Sequence, residues 1–394
     1  MKISKFISYA KAYIGIKHEH KAFGLPPQIQ ISPTNRCNLR CIHCYFYSKN
    51  VEFPAYPPLR LARIKGDILP DPQSLKNYQT QEADVNKLKS LIDDLNRMGV
   101  TTYQFSGKGE PFVYKHFMDI AGRIKKGRNR IYANTNGTLL GHDTIDELIN
   151  MGFDELRITI MAASKETYVE THPGTSPAMF EKIQDSLHYI ADQKKALNCK
   201  YPKITLVFIV ISQNCEEIVE FSRLAASANV DQVWYRSLNT VEDSGLTHLM
   251  INNTQADFVK KQLPLAASFL RQKGIKHNID AFFKAFHKNL NTFDIYNTIP
   301  CCYGWLSIYI EPDGTVYPCC GCHESFGNIF ESKFNEIWNG TKYQSFRNDA
   351  LNISSNNNLR GCECNACVHY LANLRVFKAI HPIKNYFLDR KLEP

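Results

Sequence analysis

Three thiols stand within eight residues, at Cys37, Cys41 and Cys44, spaced four and then three apart, just after the apolar run Ile29-Gln30-Ile31. Thiolates are soft ligands that suit iron–sulfur clusters and zinc. A cubane cluster normally takes four cysteines, and this loop supplies three. One iron is then left without a protein ligand, open to a small molecule that brings its own oxygen and nitrogen donors. On spacing alone, the alternative is a zinc site completed by His43 or by a distant side chain.

A second constellation lies far along the chain. Cys301-Cys302 precedes an alternating strand, Ser307-Ile308-Tyr309-Ile310, then a turn, Glu311-Pro312-Asp313-Gly314, then Thr315-Val316-Tyr317 running into Cys319-Cys320. That pattern predicts a hairpin with thiols near both outer ends, able to bring Cys302 and Cys319 onto one metal. Cys364 and Cys367 form a Cys-x2-Cys loop. Two pairs make four soft ligands, enough to fill a cubane or a zinc site. Cys301, Cys320, Cys322 and Cys362 are spare, and the isolated Cys199 and Cys215 read as packing residues.

The elements that must carry these residues alternate. Strands are expected at 29–33, 102–106, 130–134, 155–161, 204–211 and 232–236, where β-branched and aromatic residues concentrate. Helices are expected at 84–98, 115–126, 143–151, 178–196 and 215–228, with Asp143 opening one and Gly99 closing another. Such alternation implies parallel βαβ units, in an open doubly wound sheet or a partial barrel. Residues 46–83, with Pro54, Pro57, Pro58, Pro70 and Pro72, have no clear period and read as a lid or substrate-binding loop leaving the cysteine loop. The helix 253–273 bridges to the cysteine-rich module. Residues 1–21 read as a basic amphipathic helix with Ile3, Phe6, Ile7, Ala10 and Ile14 on one face, packed on the protein or a partner in preference to a membrane surface.

The chain has 394 residues, 44% apolar and 22% charged, with no low-complexity tract and no run long enough to span a bilayer. Its net charge of +9 is scattered, and the run Lys125–Arg130 reads as a solvated helix end, which argues against a nucleic-acid partner. Thirteen cysteines at clustered spacings, without a secretory signal, point to metal binding in a reducing, cytoplasmic setting.

The loop Cys-x3-Cys-x2-Cys after Ser32-Pro33-Thr34-Asn35-Arg36 resembles the signature of the radical S-adenosylmethionine (SAM) enzymes. The resemblance implies a (β/α)6 partial TIM barrel, α/β in class, with a small C-terminal α+β cysteine-rich cluster domain. It implies a SAM-binding [4Fe-4S] cluster on Cys37, Cys41 and Cys44, whose odd iron chelates the methionine part of SAM. His43 takes the place of the usual aromatic near the adenine. Lys108-Gly109-Glu110 resembles the Gly-Gly-Glu motif that holds the SAM amino group, with Lys108 replacing the first glycine. Asn136 is implied near the methionine or ribose, and Thr159 near the ribose, where Met161 departs from the usual carboxylate. Val233 to Tyr235 are implied against the adenine by position.

Cys302-x11-Gly314-x4-Cys319, Gly327-Asn328-Ile329 and Ile337-Trp338-Asn339-Gly340 resemble the SPASM/twitch auxiliary domains of that family. With no cysteine after Cys367, one auxiliary [4Fe-4S] cluster is expected, on Cys302, Cys319, Cys364 and Cys367. The expected segments are an N-terminal helix at 1–24, the SAM core at 25–250, a bridge at 251–299, the auxiliary domain at 300–372 and a tail at 373–394. The implied activity is reductive cleavage of SAM to a 5′-deoxyadenosyl radical and hydrogen abstraction from a small molecule or peptide, with a flavodoxin- or ferredoxin-type electron donor. Modification of tRNA or protein is the alternative within the family, and a non-catalytic zinc scaffold the alternative outside it.

Overall fold

The computed structural model describes residues 3–18, 21–51, 72–238, 244–287, 294–353, 359–364 and 367–381. The strands are β1 (Gln28–Ile31), β2 (Thr102–Phe105), β3 (Arg130–Thr135), β4 (Glu155–Thr159), β5 (Lys203–Val210), β6 (Gln232–Ser237), β7 (Lys276–His277), β8 (Ser307–Ile310) and β9 (Val316–Tyr317). The helices are α1 (Ile3–Lys17), α2 (Pro72–Gln79), α3 (Val85–Met98), α4 (Phe117–Lys126), α5 (His142–Asn150), α6 (Lys165–Thr171) and α7 (Pro177–Ala196). They continue with α8 (Ile218–Ser227), α9 (Asn253–Gln272), α10 (Ile279–His287), α11 (Tyr303–Leu306), α12 (Phe334–Trp338), α13 (Thr341–Leu351) and α14 (Tyr370–Ile380).

Contacts divide the chain into two compact units. One comprises residues 1–33, 56–107 and 288–394, the other 34–55 and 108–287. In the first, β1 pairs in parallel with both β2 and β8, Ile29 lying opposite Tyr103 and Ile308, while β9 runs antiparallel to β8. The expected hairpin is therefore present, and its first strand adds to β1, some 280 residues earlier in the chain. In the second unit β3 to β7 are all parallel, in chain order. Strands covered on both faces read as apolar runs, and β5, Lys203-Ile-Thr-Leu-Val-Phe-Ile-Val210, buries six of its eight residues outright.

Local signals explain most boundaries. Asp84 caps α3 by accepting from the backbone N–H of Asn86 and Lys87, and Gly99 ends it at φ +96°, a left-handed conformation natural to glycine. The start of α5 differs from expectation: Gly141 is the cap, and Asp143 lies in the first turn, where its charge meets the positive end of the helix.

Two expectations change. The inward face of α1 is not the Ile7–Ile14 stripe. Ala12 and Ile16 join the core with Tyr9 and Tyr13 against it, while Ile7 and Ile14 stay 45% and 47% exposed. The reason is close packing at Gly15, where a Cβ would meet Trp305 Cδ1 at 2.8 Å and the Lys21 carbonyl at 2.6 Å. The Trp305 indole then donates to that same carbonyl at 2.8 Å. Ile3 and Phe6 lie outside the described side chains. The segment 46–83 is not wholly irregular, since α2 occupies its end and Tyr78 donates to Glu311 at 2.5 Å. Residues 52–71 of the expected lid lie outside the described residues, as does the tail beyond 381.

Candidate active site

The cysteine loop, the turn after β2 and the ends of β3 and β4 belong to one compact unit. The loop is built by short-range bonds. Arg36 N–H donates to the Thr34 hydroxyl at 3.0 Å, and Cys44 N–H to the Cys41 carbonyl at 3.0 Å. The Arg40 guanidinium lies 4.8 Å from the Tyr47 ring centroid and donates to the carbonyls of Cys37 and Leu39 at 2.9 and 2.8 Å. Tyr47 donates its hydroxyl proton to the Asn35 carbonyl. Backbone N–H groups point at two of the sulfurs: Leu39 at Cys37 and Phe46 at Cys44, both at 3.5 Å.

Burial is the largest influence on all three thiols. It pushes Cys37 up to about 12 and raises Cys41 and Cys44, with the Leu39 and Phe46 N–H groups working the other way. The charges of Cys44 and then Cys37 further raise Cys41. Cys37, Cys41 and Cys44 would hold iron, whose positive charge would favour their thiolate forms. The donor set fits a cluster held by three cysteines.

The turn after β2 is locked onto that loop. At Gly109 a Cβ would meet the Arg36 carbonyl at 2.4 Å and the Thr34 carbonyl at 2.5 Å, so glycine alone fits. Glu110 N–H then donates to the Arg36 carbonyl at 2.9 Å. The Glu110 carboxylate accepts from the Thr135 hydroxyl at 2.6 Å, Asn136 N–H at 2.8 Å and Phe112 N–H at 3.3 Å. Burial nonetheless pushes it up to about 7, and its charge in turn raises Cys37 and Cys41. Lys108 is buried, with its ammonium 5.8 Å from the Phe46 ring centroid. Asn136 bonds Asn38 of the cysteine loop at 2.9 Å, and Asn38 bonds Thr138 at 2.8 Å. Thr159 closes β4 opposite Val207, half-buried. Met161, in place of a carboxylate, is fully buried in an apolar cluster with Ile211, Leu246 and Leu249.

His43 is half-buried with its Nδ1 shielded and without a hydrogen-bond partner among the described residues, and burial, then His172, lowers it to about 3. His172 ends α6, stacked 4.3 Å from the Tyr168 ring, and lies near 4 for the same first reason. The Tyr168 hydroxyl is likewise buried without a partner among the described residues, and the Cys41 charge raises it further. Sequence reasoning missed α6, which meets the cysteine loop through Ile42 N–H and the Thr171 carbonyl at 3.1 Å. The available signal was Ser164 as a cap ahead of Lys165-Glu166, with Tyr168 and His172 four apart. Glu217 fixes this segment by accepting from Ala163 N–H at 2.6 Å, Ser164 at 2.5 Å and Thr167 at 2.8 Å.

The second site lies in the other unit. Cys319 is raised by burial and then by the charges of Cys320, Cys367, Cys301 and Cys364, while Cys301 is raised by burial and then by Cys367 and Cys364. Cys319, Cys320, Cys301, Cys364 and Cys367 therefore act on one another electrostatically, and Cys302, the expected member, acts on Cys301. Burial pushes Cys302 up to about 12, and its charge raises both Cys301 and Tyr13 on α1. Cys302 caps α11, its N–H donating to Asn373 Oδ1 at 2.9 Å, while the Asn373 amide lies 3.8 Å from Cys301 Sγ. Asn373 also donates to the Tyr296 hydroxyl at 2.9 Å, which contacts Cys367 Sγ at 2.9 Å. Cys320 lies 3.3 Å from His369 Nε2, and Cys322 pairs with Cys362 as a disulfide. Among the described residues, no three His, Cys, Asp or Glu side chains are close enough to share a single metal ion. Sulfurs around one zinc would converge on one point, whereas a cubane's ligands each bind a different iron.

Residues 31–225 match the radical SAM superfamily, and residues 301–368 match SPASM, an iron-sulfur cluster-binding domain. The chain belongs to the radical SAM superfamily. It is an enzyme that uses SAM and a [4Fe-4S] cluster, with auxiliary iron–sulfur ligation in its SPASM domain. It is 24% identical over 338 residues to the Fe-coproporphyrin III synthase of Methanosarcina barkeri, covering 79% of this chain and 73% of that one. It is 22% identical to the tungsten-containing aldehyde ferredoxin oxidoreductase cofactor-modifying protein of Pyrococcus furiosus, covering 80% and 81%. It is 24% identical to the antilisterial bacteriocin subtilosin biosynthesis protein AlbA of Bacillus subtilis, covering 80% and 60%. In fold it resembles Streptococcus suis SuiB bound to precursor peptide SuiA, with TM-score 0.59, 14% identity, and 86% and 70% of the chains covered. Native anSMEcpe with bound AdoMet gives 0.58, 15%, 93% and 100%. The radical SAM fold, a partial TIM barrel with a C-terminal domain, is thus shared. Among the described residues no helix is long and apolar enough to cross a membrane.

Proposed function

We propose that this radical SAM enzyme oxidises a small molecule or peptide, by dehydrogenation or cross-linking, after abstracting one hydrogen from it. The observation that supports the oxidative reading is the SPASM iron–sulfur segment at 301–368, in which Cys301, Cys319, Cys364 and Cys367 would supply four thiols. Four cysteines fill the ligand positions of a cubane, leaving no open iron for substrate. Such a centre is suited to take an electron from a substrate radical. In this reading Cys301 replaces the expected Cys302.

At the first site Cys37, Cys41 and Cys44 hold the cluster. When bound, cluster and SAM supply a 5′-deoxyadenosyl radical that takes a hydrogen atom from the substrate. Gly109 and Glu110 form a rigid wall beside the cluster loop that receives the SAM amino group, and Glu110 is positioned for this by Thr135 and Asn136. Buried Lys108 lies over the Phe46 ring, two residues past Cys44, and so borders the cluster loop. His43, kept neutral by burial, offers a flat face to the adenine. Asn136 and Thr159 border the methionine and ribose. A flavodoxin- or ferredoxin-type donor supplies the first electron.

The relatives support both substrate classes. Fe-coproporphyrin III synthase and the cofactor-modifying protein are named for small molecules, AlbA for bacteriocin biosynthesis. The test is turnover of anaerobically reconstituted enzyme with SAM and dithionite. Release of 5′-deoxyadenosine by wild type, retained by Cys319→Ala and lost in Cys41→Ala, supports the assignment. Equal loss in both variants contradicts a separate electron-accepting role for the second site.

A further inference from the structure

Cys322 and Cys362 are left over by the four-thiol set, yet they are the most tightly organised cysteines in the module. They face each other across an antiparallel bridge and are joined as a disulfide, 40 residues apart in sequence. Backbone bonds flank them on both sides: His323 N–H donates to the Gly361 carbonyl at 2.7 Å, and Glu363 N–H to the Gly321 carbonyl at 2.9 Å. One residue beyond, His323 Nε2 meets Glu363 Oε2 at 3.0 Å. Both cysteines are buried, 2% and 5% exposed. The two strands so joined carry the ligand cysteines, Cys319 three residues before Cys322, and Cys364 two residues after Cys362. Cys322 Sγ also lies 3.8 Å from Cys319 Sγ. As a free thiolate it would be a fifth soft ligand beside the iron site.

We propose that Cys322 and Cys362 are not cluster ligands but a disulfide clasp that fixes the Cys319 loop to the Cys364–Cys367 loop and withdraws Cys322 from iron. This rests on the reading of Cys301, Cys319, Cys364 and Cys367 as the auxiliary ligands. The clasp closes by thiol–disulfide exchange with a small-molecule disulfide such as glutathione disulfide. The Cys322 thiolate attacks one of its sulfurs and releases one glutathione thiolate. The Cys362 thiolate then displaces the second, so that two protein thiols are oxidised and one disulfide is reduced to two thiols. Burial of both sulfurs makes the clasp slow to reduce while the module stays folded. Its effect is on assembly, because the two loops are brought together before iron arrives.

The full-length protein, reconstituted with iron and sulfide, is denatured in iodoacetamide and digested without reductant. A crosslinked peptide pair spanning 322 and 362, absent after dithiothreitol treatment of the unfolded chain, is the expected result. Alkylation of both cysteines in protein equilibrated with glutathione disulfide overturns the clasp. Iron counts then separate this idea from the cluster assignment. Cys322→Ser is expected to keep about eight irons per chain but to load the auxiliary four roughly tenfold more slowly, while Cys319→Ser falls to about four. Loss of four irons in Cys322→Ser makes Cys322 a ligand and sinks the clasp, while the reading of an auxiliary cluster in this module stands. If Cys319→Ser keeps eight, the ligand reading fails instead, and the crosslink result still decides the clasp.

Discussion

The two cysteine sites reach similar chemistry by opposite routes. The first takes three thiols from one loop of eight residues, and its neighbours only steady that loop. The second, as proposed, would draw four thiols from three segments that are separate in sequence, among eight candidate cysteines. Local spacing singles out one set for the first. In the second, spacing leaves several sets open. The difference also follows function: an open site needs a missing ligand, which a short loop provides, while a closed one needs enclosure from several sides.

The comparison breaks most visibly at the ligands. Cys37→Ala, Cys41→Ala and Cys44→Ala are each expected to remove about four irons and abolish 5′-deoxyadenosine formation. Cys301→Ala should remove about four irons and keep that formation, whereas Cys302→Ala keeps all eight. Iron retained in Cys301→Ala and lost in Cys302→Ala would return the ligand role to Cys302.

Gly109→Ala comes next. A methyl there has no room against the Arg36 and Thr34 carbonyls, so about 3 kcal/mol of stability should be lost on chemical denaturation. The same change at Gly99 meets no neighbour, and its penalty comes from the left-handed backbone alone, about 1 kcal/mol.

Glu110 predicts a pH signature in cluster-free protein. Its folded pKa is raised, from the usual 4.5 to about 7, by burial. The folded state therefore holds the proton more tightly than the unfolded chain. The stability this contributes is fully present below pH 4.5 and is lost as pH rises through about 7, a swing on the order of 3 kcal/mol. Glu110→Gln should flatten denaturation midpoints across that window. An unchanged pH profile would show that the buried carboxyl titrates normally.

A modest effect is expected at Glu217, which holds α6 through three donors. Glu217→Gln should cost about 1–2 kcal/mol and raise the KM for SAM more than it lowers kcat.

The six expected strands of the core were legible because buried parallel strands are apolar runs between helices with recognisable caps, as at Asp84 and Gly99. The parallel pairing of β8 with β1 was not, because nothing within Ser307–Ile310 encodes a partner 280 residues away. The inward face of α1 was misjudged because hydrophobicity favoured Ile7 and Ile14, while fit against Trp305 favoured Gly15. Cys301 and Cys302 are identical in type and adjacent, and Asn373 contacts both, so sequence spacing does not choose between them as the ligand. Tyr168 and His172 gave a pattern of aromatic spacing, but their place beside the cysteine loop depends on where α6 docks.

The most direct measurement is iron and sulfide content paired with 5′-deoxyadenosine formation, on anaerobically reconstituted wild type and on the Cys37, Cys41 and Cys44 triple Ala variant. About eight irons in wild type, about four in the variant, and deoxyadenosine from wild type only is the predicted result. A colourless wild type that binds zinc and forms no deoxyadenosine would contradict the account.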